Sequence, residues 1–408
     1  MASTFKLVCV ECGAEHEPED ARYLCPSCGG NLDVQYDYSS VRLGRNCLAE
    51  DRNYSMWRYR PLLPIADASP LPRLSIGWTP IYDCPRLAAE LGIKQLLIKD
   101  DGRNPTGSFK DRPSALAVVK AQEAGAGVVT TASSGNAGSA LAGIAASVGM
   151  KSVVFVPAFA PPAKVAQLQI YGAVAVVVEG TYDDAFTLSI EASNRFGWYQ
   201  RSTGYNPYTR EGKKTAALEI AEQSEWNVPD KIFVAVGDGN IISGLWKGFR
   251  DLRALRLIDR APALVAVQAA GASPIVNALN GDGVVRPVAA QTLADSINVG
   301  SPNDSTMAVR AVRESGGAGV KVGDDEIVSA VIRLARSTGV FVEPAAGAAF
   351  AGLVSHSETG RIKSDERVLV MLTGNGLKDI DSARRGVQPP LRISADASEL
   401  QRVLSAAS

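Results

Sequence analysis

Valine-rich runs bounded by glycine, each followed by a helix-length segment, recur down most of this chain and leave few folds open. Residues 127–132 (GVVTTA) read as a strand, followed by a Ser/Gly turn and a small-residue helix through Val148. Strands at 152–156 and 174–179 come next, trailed by helices at 162–172 and 182–196. Further along lie a helix at 211–223, strands at 232–236 and 263–268, a helix at 324–338 and a strand at 368–372. Strands that are apolar on both faces belong to parallel sheets, because the crossover helices cover both sides. The expected fold class is therefore α/β, with doubly wound sheets. No internal repeat or low-complexity segment competes with that reading.

At 408 residues the chain can hold two or three domains. With 42 basic and 43 acidic residues the net charge is -1, which gives no electrostatic basis for binding nucleic acid or an anionic membrane. No apolar run approaches the roughly 18–20 residues that span a bilayer. The start, MASTFK, has no signal-peptide core, so the expected compartment is the cytoplasm. Histidine occurs only as His16 and His356, which argues against Ser-His-Asp, Cys-His and His-rich metal chemistry.

Four of the six cysteines, Cys9, Cys12, Cys25 and Cys28, form two CxxC steps near the start, while Cys47 and Cys84 stand alone as packing residues. Each CxxC turns two thiolates toward one point, and two such steps suit a tetrahedral zinc site. Buried or disulfide-bonded cysteines are the plain alternative. Residues 1–35 are too few to build a core, so Zn2+ would supply their folding energy and, with four thiolates around it, would be structural. Residues 36–75, rich in Arg, Tyr, Pro and Asp, read as a connecting arm wrapped on the body.

Open α/β sheets bind ligands beyond the carboxyl ends of their strands, and four such places carry unusual chemistry. Ser133-Ser134-Gly135-Asn136-Ala137-Gly138 opens a helix, where amides and hydroxyls hold a carboxylate or simply cap the helix. Gly237-Asp238-Gly239-Asn240-Ile241 also joins a strand to a helix. It lacks the third glycine of a dinucleotide fingerprint and the Gly-Lys-Ser/Thr of a Walker loop, so a monophosphate fits better than a nucleotide. Thr373 ends a strand, its hydroxyl free either for a ring nitrogen or for its own turn. Lys110 falls in the first turn of a helix expected over 108–122, where the dipole favours a neutral amine; a solvated helix lysine is the alternative.

Taken in order, 77–80 (GWTP), 104–112 (NPTGSFKDR), 133–138 (SSGNAG), 212–215 (GKKT), Glu343-Pro344 and 372–379 resemble the tryptophan-synthase-β or fold-type-II family of pyridoxal-phosphate (PLP) enzymes, most closely its threonine synthase branch. A four-cysteine ribbon ahead of the body is similar to that of many threonine-synthase relatives. The resemblance implies two doubly wound α/β domains behind a zinc-ribbon-like segment: a smaller mobile domain over 111–203, and a larger cofactor-binding one over 76–110 and 204–408. It implies that Lys110 carries PLP as a Schiff base and shuttles the proton at the substrate α-carbon. Asn136 would meet the ring hydroxyl, Gly237–Ile241 the cofactor phosphate, and Thr373 the pyridine nitrogen. Ser133, Ser134, Gly135 and Ala137 would hold the substrate carboxylate. The implied activity is β/γ-elimination or replacement on a substituted L-amino acid, in a homodimer. Serine/threonine ammonia-lyase and cysteate-synthase-like β-replacement are alternatives, and a zinc-ribbon binding or regulatory protein is a different class.

The resemblance breaks where threonine synthases hold the substrate phosphate. Ala137, Thr203-Gly204 and Thr209 stand in place of a threonine, an Asn-Ser pair and an arginine, and Asn375 replaces a histidine. Arg210, Lys213 and Arg103 are near enough in sequence to compensate.

Overall fold

In a computed structural model of the protein, described for residues 4–407 apart from Ala21, Ser134, Phe159 and Pro161, the chain opens with an antiparallel ribbon. Its strands β1 (Phe5–Cys9), β2 (Glu15–His16) and β3 (Leu32–Tyr36) lie in the order β2-β1-β3. The chain then lays down β4 (Ile81–Asp83) and β5 (Gln95–Asp100) and crosses to β6 (Val128–Ala132), β7 (Lys151–Pro157), β8 (Val174–Val178) and β9 (Tyr199–Gln200). It returns with β10 (Lys231–Ala235), β11 (Ala263–Ala269), β12 (Ala318–Val322) and β13 (Arg367–Leu372). The excursion makes a four-stranded sheet, β8-β7-β6-β9, and the rest a six-stranded one, β12-β11-β10-β13-β5-β4. Among the described pairings of these two sheets, only that of β4 with β5 is antiparallel.

The pleat explains why the strands read as continuous apolar runs. Ile232, Val234, Leu369 and Met371 enter one core, while Phe233, Val265, Val368 and Val370 enter the core on the other face. The short strands β9 and β12 escape a reading of valine runs, because YQ and AGVKV offer too few branched residues.

The helix expected over 211–223 begins three residues earlier, as Tyr208–Gln223, and is buried almost throughout. Its charged residues point inward, so no polar face marks where it starts. It packs tightly on the Asn240–Ala254 helix, since a Cβ at Gly248 would lie 2.6 Å from the Lys214 carbonyl oxygen. The arm contributes Met56, Trp57, Tyr59 and Leu62 to the same core. Among the described residues, no helix is long and apolar enough to cross a membrane.

Candidate active site

The segment 104–112 is a folded turn rather than the start of a helix. Asn104 Oδ1 accepts from the Gly77 amide at 2.9 Å. The Thr106 amide donates to Asp111 Oδ2 at 2.7 Å, and its hydroxyl donates to the other carboxylate oxygen. Ser108 pairs with Gly374, and the Phe109 amide donates to the Thr373 carbonyl at 2.9 Å. These ties hold 108–109 against the end of β13, so the helix begins only at Asp111 (Asp111–Glu123) and Lys110 is its N-cap residue. That corrects the expected helix start at Ser108. Arg112 locks the turn from behind: Nε reaches Asp101 at 2.6 Å, and Nη1 and Nη2 reach the two oxygens of Glu219 at 2.5 and 2.7 Å. Burial would raise the Glu219 carboxyl, but Arg112 and Lys99 outweigh it and hold it low, at about 2.

Lys110 opens into a cavity walled by Thr203, Lys213, the 236–242 loop, Ser296, Ile297, Ala345 and Thr373. Burial deep in the protein, then the field of Arg201, pushes its amine down to about 8, against the opposing pull of Glu343 and Asp238. Gly239 caps the Asn240–Ala254 helix at φ +90, and a Cβ there would come within 2.6 Å of the Ala308 Cβ. Only glycine lets the loop curl so closely, with the helix N-terminus at the cavity wall. Amine, amide-lined loop and the neutral Thr373 hydroxyl thus share one space. That donor set fits an aldehyde carrying a phosphate.

The second strand-end loop approaches from the smaller sheet. Asn136 begins the Asn136–Ser147 helix, and its Nδ2 donates to both Glu343 oxygens at 3.0 and 2.8 Å and to Ser296 Oγ at 3.3 Å. Ser133 Oγ accepts from the Gly135 amide at 3.1 Å, which is the local-cap role. Ser134 lies outside the described residues. Gly135 and Asn136 line an outer cleft with Thr106, Ser139, Asn375 and Lys378. Ala137, in the first turn of the helix, is half-buried.

Sequence reasoning gave no site role to Glu343, Ser296 or Arg201, and Thr203 entered it only as the replacement for part of an Asn-Ser pair. Glu343 was visible only as part of a Glu-Pro step; Arg201 carried no motif signal at all. The structure also separates the three cations expected to compensate. Arg210 is committed to Asp33 at 2.8 Å and Asp304 at 2.5 Å, and Arg103 is exposed, whereas Lys213 is in the cavity wall.

In the ribbon, the four sulfurs of Cys9, Cys12, Cys25 and Cys28 lie within 4.8 Å of one another. Cys9 and Cys28 Sγ are 3.5 Å apart, Cys12 and Cys25 3.8 Å. Zinc–sulfur bonds of ~2.3 Å in a tetrahedron give sulfur–sulfur edges of about 3.8 Å, so the donor set fits zinc. His16 Nε2 contacts Cys25 Sγ at 3.3 Å, the usual kind of outer partner for a thiolate ligand.

Comparison with known proteins adds to this geometry. A profile of pyridoxal-phosphate dependent enzymes matches residues 72–374. The threonine synthase of Methanocaldococcus jannaschii is 39% identical over 97% of this chain and 98% of its own length. That of Methanosarcina acetivorans is also 39% identical, over 98% of each chain. Among solved structures, a fungal L-serine ammonia-lyase from Rhizomucor miehei superposes with a TM-score of 0.66 at 21% identity, over 76% of this chain and 98% of that one.

Proposed function

The chain belongs to the pyridoxal-phosphate-dependent enzyme family, and on that premise we propose that it converts O-phospho-L-homoserine and water to L-threonine and phosphate. The observation that carries this reading is that Lys110 faces the Gly237–Ile241 loop across one cavity. Bound PLP supplies an electron sink for charge developing at the substrate α-carbon. Lys110 attaches the cofactor and moves the α-proton, and its depressed basicity suits both tasks. The amides of Gly237, Asp238, Gly239, Asn240 and Ile241 hold the cofactor phosphate. Thr373 meets the ring nitrogen with a neutral hydroxyl, which leaves it unprotonated and favours elimination over transamination. Asn136 serves the ring hydroxyl, and for that its amide must share or leave Glu343. Ser133, Ser134, Gly135 and Ala137 take the substrate carboxylate. The 111–203 domain closes on the 76–110 and 204–408 domain, and two chains form a homodimer.

Structural Zn2+ on Cys9, Cys12, Cys25 and Cys28 completes the proposal, in a cytoplasmic setting that keeps thiols reduced. A second reading, ammonia loss from serine or threonine, is favoured by Ala137, Gly204 and Thr209, which offer no charged group to a substrate phosphate. The PLP-loaded protein incubated with O-phosphohomoserine should release threonine and phosphate in equal amounts. Oxoacid from threonine or serine, with no phosphate release, would replace the first reading by the second.

A further inference from the structure

Two knuckle residues of the cysteine ribbon reach the body, and both contacts lead to the cavity. Tyr23, two residues before Cys25, is buried, and its hydroxyl accepts from the Gln200 amide at 2.8 Å. Gln200 ends β9, the edge of the four-stranded sheet, so the Tyr23 hydroxyl stands where a further strand would offer a carbonyl. The Tyr23 ring packs on Tyr199 and Tyr205, with centroids 5.7 and 5.0 Å away. Between those two tyrosines in the chain lies Thr203, in the cavity wall. Asn31, three residues after Cys28, donates to the Asn303 carbonyl. Asn303 sits between the segment after β9 and the glycine loop. A Cβ at Gly204 would lie 2.7 Å from the Asn303 Cβ, while the Asn303 amide and Nδ2 both donate to Asp238 Oδ1. The Asp304 amide donates to the Asp238 carbonyl at 3.0 Å and closes this turn onto the loop.

Strands β1 and β3 are anchored in the large apolar core by Leu7, Leu32, Val34 and Tyr36. The knuckles depend on their cysteines instead. The Val10 amide donates to the Asn31 carbonyl at 2.9 Å, Leu24 bridges to Asn31, and the Cys25 amide donates to the Gly30 carbonyl at 2.9 Å. Asn31 is thus tied to both knuckles, and its place is set by the point on which the four sulfurs converge. A bound metal joins those sulfurs; without it, close thiolates repel and the knuckles lose their shared tie. We propose that Tyr23 and Asn31 make the ribbon a metal-dependent clamp on the cavity, through which zinc on Cys9, Cys12, Cys25 and Cys28 sets the affinity for PLP. The clamp grips β9 through Gln200 and the glycine loop through Asn303, so one metal orders both walls. It rests on the zinc and PLP sites proposed above and is independent of the substrate. What it adds is regulation: a chain that loses zinc loses its cofactor before it loses its fold.

In the test, zinc is removed from the full chain with a chelator under reducing conditions and the chelator is dialysed away. Equilibrium dialysis then compares PLP affinity with that of the zinc-loaded protein. Metal-free wild type should bind PLP at least about tenfold more weakly, because several hydrogen bonds are released together. Added Zn2+ should restore the affinity. Circular dichroism, and slow hydrogen exchange in Asp111–Glu123, should show the body still folded. Tyr23→Phe and Asn31→Ala should each keep their zinc by elemental analysis and weaken PLP binding by roughly threefold to tenfold, the range of one hydrogen bond. Zinc removal should then cost Asn31→Ala less than it costs wild type, since a contact the metal maintains is already gone. Undiminished PLP affinity in metal-free wild type would overturn the clamp and leave the metal purely structural. So would unfolding of the body on zinc removal, which points to a general folding role, or an undiminished cost of zinc removal in both variants, which points to another route. Wild type that holds no zinc, or takes up no PLP, contradicts the proposed sites themselves, and the coupling falls with them.

Discussion

The role proposed for Lys110, attack on an aldehyde, needs a neutral amine, and burial and the field of Arg201 bring that form closer to neutral pH. The amine is protonated below its pKa, so its neutral fraction rises tenfold per pH unit up to about 8 and then levels. PLP uptake by the cofactor-free protein should follow that curve, reaching its plateau near pH 8 instead of near the usual 10.5. The Glu343 carboxylate favours the proton, so Glu343→Gln should move the plateau to lower pH. Rapid-mixing absorbance measures both, and a plateau unmoved in the variant would remove Glu343 from the balance. Lys110 was legible because NPTGSFKDR is a long, distinctive string. Arg201 was not, since a lone arginine after a two-residue strand has no period or motif, and only burial without a carboxylate marks it.

Much of what makes that string distinctive is scaffolding. Asn104, Thr106, Asp111 and Arg112 spend their side chains on folding the turn that presents Lys110. The ribbon is a scaffold of a different kind. Asp33 of β3 grips Arg210, Arg210 grips Asp304, and Asp304 Oδ2 accepts from Asn240 Nδ2 at 2.7 Å, at the first residue of the helix behind the glycine loop. A parallel route runs from Asn31 Nδ2 to the Asn303 carbonyl at 2.6 Å, and from the Asn303 amide to Asp238 Oδ1 at 3.2 Å. Ribbon and glycine loop are therefore one hydrogen-bonded unit. Asp33→Asn should weaken PLP binding by roughly tenfold, the scale of one charged hydrogen bond, with zinc content unchanged. Equilibrium dialysis and elemental analysis read the two quantities. PLP affinity equal to wild type would show that Asp304 orders the loop without the ribbon. The cysteine spacing made the ribbon legible as a metal unit. Its link to the body was hidden, because Arg210 and Asp33 are far apart in sequence and charged residues inside a helix erase the amphipathic signal.

At the scale of the molecule, the alternation of valine runs and helices was enough to give parallel sheets, but not which strands share a sheet. That partition is decided by the return of the chain to β5, where β13 pairs from Arg367 through Leu372. The consequence is a site built between two sheets, with Lys110 and the glycine loop on one side and Asn136 on the other. Among the described residues, hydrogen bonds span the outer cleft from Asn136 to Glu343 and Ser296, and from Lys378 Nζ to Ser139 Oγ at 3.2 Å and to Gln167 Oε1 at 3.4 Å. The Asp111–Glu123 helix is set in the large apolar core along its length by Ala115, Leu116, Val118, Val119 and Ala121, beside residues of the six-stranded sheet, whereas the Asn136–Ser147 helix enters that core through Leu141, Ile144 and Ala145 of its later turns and leaves its Asn136 end at the polar cleft. Polar contacts between lobes exchange for water at little cost, whereas withdrawing a helix from an apolar core does not. Closure on an amino acid should therefore move the part of the smaller lobe beyond that helix. Hydrogen exchange of the PLP-loaded protein should then show slowed amides around Asn136–Ser147 when substrate is added, while Asp111–Glu123 is slow with and without it. Equal protection of both helices on binding would place the hinge before Asp111, and no change in either would leave the site preformed.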